Sequence, residues 1–151
     1  MPDFIYHGLF AGLVFWNDPN FKKAIMYGLA PDLISFGAYG LYEITHDFKF
    51  DLTKIPWWTT PTYNIGHSII IWLSLYLLLY FFFGINEYPM FAAIISILVD
   101  IPLHSYKKGF PTPFLWPLSN YKVDGIQWSR PPVLIISYIV LYLFYRYRIK
   151  Q

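Results

Sequence analysis

Cysteine is missing from this sequence, so disulfides, thiolate nucleophiles and cysteine-bound metals are excluded. Charge is scarce as well: Asp, Glu, Lys and Arg supply 13% of the 151 residues, against about 25% in an ordinary soluble domain. A net charge of +2, with basic residues in short scattered groups, excludes the basic stripe of a nucleic-acid-binding protein. A Gly-rich phosphate loop, a Gly-x-Ser-x-Gly elbow and a His-Glu-x-x-His helix are all absent. Met1, Pro2, Asp3 and Phe4 show no basic n-region of a signal peptide, so membrane targeting is expected to come from the helices themselves.

Apolar side chains fill the place of the missing charge. Hydrophobic residues make up 56% of the chain and aromatics 23%, with Tyr 14, Phe 14 and Trp 6, and the mean hydropathy is +0.40. Tyr and Trp favour the bilayer interface, where the ring is half buried and the polar atom stays wet. The expectation is an all-α integral membrane protein, residues 1–151 forming one domain of four to five transmembrane or half-inserted helices.

Five apolar stretches carry that expectation. Residues 4–16 are short for a crossing, which needs about 20 residues. An Asn17-Asp18-Pro19-Asn20 turn and Lys22-Lys23 separate them from residues 24–42, where Pro31-Asp32 falls near the middle. A proline there is expected to kink the helix. A polar connector over residues 43–63 ends in Pro56-Trp57-Trp58, an expected interfacial anchor. Residues 65–85 form the clearest span, with His67 and Ser68 at its start. The turn Asn86-Glu87-Tyr88-Pro89 leads to residues 90–105, with Asp100 and His104 at the far end. A loop rich in Gly, Pro and aromatics precedes the last span, residues 133–145, and the basic tail Arg146, Arg148 and Lys150. Basic residues divide almost evenly between the two sides, so charge leaves the orientation open.

A short turn joins the third and fourth stretches, so they must pair antiparallel. His67 begins one arm and Asp100 and His104 end the other, which places all three at the same end. Continuing the alternation backwards brings His7 there too. Imidazole and carboxylate together suit Zn or another divalent first-row metal. Asp100 and His104 stand one helical turn apart, His67 supplies a third ligand, and His7 and Asp32 supply a second ion or further support. His46, in a polar connector, reads as an interfacial residue. His67, taken alone, reads equally well as an interfacial residue or as a functional one. An intramembrane carboxylate resists that reading, and no cation lies within a turn of Asp32 or Asp100. The aromatic run over residues 76–83 reads as packing or lipid-facing surface. Phe114, Leu115 and Trp116 read as an interfacial lid or as an anchoring re-entrant loop.

The order Pro2-Asp3 with His7, Pro31-Asp32, Gly66-His67-Ser68, an Asp100-centred helix and Phe114-Leu115-Trp116-Pro117-Leu118-Ser119 resembles a family of membrane-bound metal-dependent hydrolases. These are inner-membrane proteins of bacteria and archaea, one of them in the SOS regulon, and the family is distantly similar to zinc-dependent phospholipase C. The resemblance runs from residue 2 to about 130, and the order of its short motifs carries it. Two positions depart from the pattern: Gly66 stands where Thr is usual, and Ser96 where a His commonly precedes the Asp. His104 follows Asp100 in an Asp-x-Pro-x-His ending found in some members. The resemblance implies a multi-pass inner-membrane enzyme with Zn, or another divalent ion, held by His7, Asp32, His67, Asp100 and His104. Asp32 or Asp100 would be the general base, and the substrate a lipid or polyprenyl phosphate or ester met at the bilayer face. The alternative is a non-catalytic membrane subunit or assembly protein with a degenerate metal site. A small proton-coupled transporter would also use buried His and Asp, but the chain has too few spans to alternate without oligomerising.

Overall fold

A computed structural model describes residues 2–46, 56–106 and 111–150. All regular structure among them is helical: α1 (Pro2–Val14), α2 (Phe21–His46), α3 (Thr59–Gly66), α4 (Ile69–Phe83), a 3-10 turn (Tyr88–Met90), α5 (Phe91–Leu103) and α6 (Pro131–Arg148). The chain is therefore all-α, as expected. Residues 47–55 of the polar connector, including Asp47, Lys49, Asp51 and Lys54, lie outside the described residues, as do Lys107 and Lys108.

Two helices differ from the sequence reading. α2 runs on through Pro31 to His46 and takes up the start of the expected connector. The span expected over residues 65–85 is broken: α3 and α4 meet at His67 and Ser68 with a bend of 61°. Ser68 has extended backbone and its Oγ accepts a hydrogen bond from Ile71 N at 3.2 Å. That side-chain cap satisfies a donor that a helix start leaves orphaned, so α4 begins afresh there.

α1 and α2 form an antiparallel hairpin through the expected Asn17-Asp18-Pro19-Asn20 turn. α5 lies along both, with Ala11, Ala24 and Ala92 buried where the three meet. Gly28 makes this approach possible, because a Cβ there would stand 2.6 Å from Ala11 Cβ and 3.2 Å from the His7 carbonyl oxygen. Trp72, Met90, Ala93 and Ile97 join α4 and the 3-10 turn to α5, and Phe114 packs against them from the proline-rich loop. α6 lies along α1 through Tyr6, Leu13 and Leu141. Its Arg148 donates from Nε to Leu13 O at 3.1 Å and from Nη2 to Val14 O at 3.3 Å, carbonyls that the end of a helix leaves open. Near this end the two turns are tied together. Tyr88 Oη donates to Asp18 at 2.7 Å, Asn20 Nδ2 donates to Tyr88 Oη at 2.9 Å, and Lys23 pairs with Glu87 at 3.0 Å.

The outer faces are apolar. α4 carries no charged residue and buries only Trp72, while Phe81, Phe82 and Phe83 are 73%, 81% and 66% exposed. Ile135, Ile136, Ile139, Val140 and Leu143 of α6 are all exposed. No single helix among the described residues is long and apolar enough to cross a membrane, and the bent pair α3–α4 meets that requirement only jointly. Trp57, of the expected anchor, is 84% exposed.

A buried ring of imidazoles and carboxylates

His7 lies midway along α1, Asp32 midway along α2, His67 at the α3–α4 break and Asp100 in the last turn of α5. The packing described above brings all four together. His7 Nε2 stands 2.9 Å from Asp100 Oδ1 and 3.9 Å from Asp32 Oδ2. His67 Nε2 stands 3.6 Å from Asp32 Oδ1 and 3.5 Å from Asp100 Oδ2. Each carboxylate thus turns one oxygen to each imidazole, and the four groups alternate around a ring. His7, His67 and Asp100 are 1% exposed and Asp32 is 8% exposed, so all four are buried and Asp32 least so.

Charge makes this ring unusual. Two buried carboxylates near each other are costly unless opposite charge and hydrogen bonds compensate them. Neither oxygen of Asp100, nor Oδ2 of Asp32, accepts a hydrogen bond of good geometry among the described residues, close though His7 Nε2 lies. As the side chains stand, no group of three or more His, Cys, Asp or Glu among the described residues is disposed to hold a metal ion. The donor atoms converge pairwise around the ring.

His104 stands beside the ring. α5 ends at Leu103 and His104 takes an extended backbone, which turns its Nδ1 toward the Asp100 backbone carbonyl at 3.1 Å and Thr112 Oγ1 at 3.3 Å. A carbonyl can only accept, so Nδ1 carries a proton there and offers no lone pair to an ion. The nearest ring oxygen, Asp100 Oδ1, is 3.7 Å away. Of the five residues singled out in the sequence, four form the ring and His104 flanks it.

The sequence reading missed three neighbours. Ser35, fully buried, is 3.0 Å from His67 Nδ1. Tyr63 stacks on the His67 ring with centroids 4.2 Å apart. Thr112 contacts His104. Ser35 had a usable signal, because it lies three residues after Asp32 and shares its helix face; the other two depend on loop and break geometry. The proline-rich loop is bound to the start of α4, where Ile69 N donates to Phe114 O at 3.0 Å and Ser68 Oγ donates to Trp116 O. Phe114, half-buried, is held against the Trp72–Ile97 cluster by these bonds.

α3 docks on α2 at the same level. Thr62 Oγ1 reaches Ser35 O at 3.2 Å, and Trp72 Nε1 donates to Gly66 O at 2.8 Å. Gly66 touches α2 directly: a Cβ there would fall 2.6 Å from Pro31 O and 2.7 Å from Ser35 Oγ. His67, the next residue, is held in place by that contact.

Compared with protein-family models, with curated proteins and with solved structures, the chain matches none.

Proposed function

We propose that the chain is a multi-pass membrane protein whose ring binds one divalent cation, Zn foremost, and that it hydrolyses an amphiphilic phosphate or carboxylic ester. The inner membrane is the location that the motif resemblance implies. The observation that carries the reading is the spacing of the ring atoms. Ligands 2.0–2.2 Å from one ion stand about 2.8–3.6 Å apart, depending on tetrahedral or octahedral geometry. Three of the four Nε2–O separations, 2.9, 3.5 and 3.6 Å, fall in that interval, and the fourth is 3.9 Å. Two carboxylates and two neutral imidazoles carry the charge that a divalent ion balances. Small side-chain adjustments would turn the pairwise convergence into a shared centre.

His7, His67, Asp32 and Asp100 would hold the ion, which when bound supplies Lewis acidity toward a phosphoryl or acyl oxygen. Asp32, the ring member with the most exposure, would accept a proton from the attacking water. Asp100, buried beneath it, would hold and orient. The hydrolytic part of the proposal is supported by this donor set and by the motif order noted in the sequence. Membrane residence is supported by the bare apolar surfaces of α4 and α6, since exposed apolar patches of that kind mark contact with lipid or a partner. Alkaline carbonate extraction checks it: the chain should stay in the membrane pellet, and release into the supernatant would refute residence in the bilayer.

Metal analysis of detergent-purified protein tests the centre. About one Zn or Mn per chain is expected, removed by chelation and restored on re-addition, together with metal-dependent cleavage of a lipid phosphate ester. Protein that carries no ion and is indifferent to chelator would overturn the metal proposal. A second reading has a specific observation behind it: the low exposure of the ring leaves little room for a reacting group. On that reading the ring is a non-catalytic element of a membrane subunit, and bound metal without any turnover would select it.

A further inference from the structure

Ser35 Oγ has two polar neighbours, Pro31 O at 2.6 Å and His67 Nδ1 at 3.0 Å. The hydroxyl owns one proton. A carbonyl oxygen only accepts, and two oxygens 2.6 Å apart repel unless a proton lies between them, so the Ser35 proton points at Pro31 O. Toward His67 the same oxygen can then only accept. The proton between Ser35 and His67 must belong to the imidazole.

We infer that Ser35 is a positioning residue that fixes neutral His67 as the Nδ1–H tautomer and so aims a bare Nε2 lone pair at Asp32 and Asp100. This inference rests on the metal centre proposed above for its purpose, and on the hydrogen bonds alone for its substance. A lone pair 3.5 and 3.6 Å from two carboxylate oxygens is repelled by them, and a cation placed between relieves the repulsion. Histidines that bind metals are commonly oriented through their second nitrogen in this way, by a carboxylate, a carbonyl or water; here a serine hydroxyl does it, itself anchored on a helix carbonyl. Tyr63 stacked on the ring and Gly66 pressed against Ser35 keep the imidazole from rotating away.

Nitrogen NMR of the metal-free, imidazole-labelled chain in detergent, at a pH where His67 is neutral, reads the tautomer directly. The wild type should show His67 protonated at Nδ1, and Ser35→Ala should move it toward the Nε2–H form that a histidine side chain prefers in water. A wild-type ring protonated at Nε2, or a tautomer unchanged in Ser35→Ala, would overturn the inference. Should Ser35→Ala fail to fold, the wild-type spectrum decides alone. Zn titration separates this from the metal reading: Ser35→Ala should bind about 10–100-fold more weakly, and equal affinity in the two proteins counts against Ser35. A wild type that takes up no Zn overturns the metal centre instead, and the spectrum of the metal-free ring still judges Ser35.

Discussion

Asp100→Asn should lose the ion and at the same time make the chelated protein more heat-stable. Asparagine keeps the shape of the side chain and removes one of the two buried carboxylate charges. Without a cation those charges face each other through the ring at a cost, so the chelated variant should melt several degrees above the chelated wild type. Adding Zn should reverse the order. At a hundredfold excess over the dissociation constant, a ligand stabilises the state that binds it by about 2.7 kcal/mol, or roughly 5–10 °C in a chain of this size. The variant should gain almost none of this, because changes to groups that merely orient a ligand already cost 10–100-fold in affinity and Asp100 faces both imidazoles. Thermal melts with chelator and with Zn measure both halves. If the ring were an ion-pair quartet with protonated histidines, the sign would change: removing one charge from a buried pair costs about 3–5 kcal/mol, and Asp100→Asn would melt well below the wild type with or without metal.

Gly66→Ala should both destabilise the chain and disturb the ring. The added methyl would lie 2.6 Å from a backbone oxygen, Pro31 O, and 2.7 Å from Ser35 Oγ. A backbone atom within a helix does not swing aside as a flexible side chain does, so α3 must lift from α2. Overpacking of this kind costs about 1–3 kcal/mol and sometimes more. The shift also carries His67 away from Asp32 and Asp100, so Zn affinity should fall with stability. Gly37 is the control, since a Cβ there meets nothing within 4 Å; Gly37→Ala should leave both properties unchanged or slightly improve stability through helix propensity. A Gly66→Ala protein as stable as wild type would show that the α2–α3 contact is looser than described. Threonine, usual at this position in the family the motifs resemble, would need still more space.

Much of this arrangement could be read from the chain. Hydrophobic runs and the short turns at Asn17–Asn20 and Asn86–Pro89 gave the helices and their antiparallel order, and that order brought His7, His67 and Asp100 to one level. Three features needed coordinates. The break at His67 was hidden because Gly66 and Ser68 sit in an apolar run that reads as continuous; only the Ser68 cap and the space denied to a side chain at residue 66 reveal a new helix start. The extension of α2 past Tyr42 to His46 was hidden because Glu43, Thr45 and His46 read as the start of a polar connector. His104 flanks the ring because a four-residue spacing gives a shared face only while the helix lasts, and α5 stops one residue short.

The ring also imposes an order of events on synthesis. Its members arrive at residues 7, 32, 67 and 100, and α6 adds none. When α1 and α2 have paired, Asp32 already has the His7 imidazole as a neighbour, whereas Asp100 is made several seconds later at about 5–20 residues per second. During that interval a lone acid waits beside a single base, and the second negative charge enters only when both imidazoles are there to receive it. The nascent chain therefore never has to bury two acids before two bases.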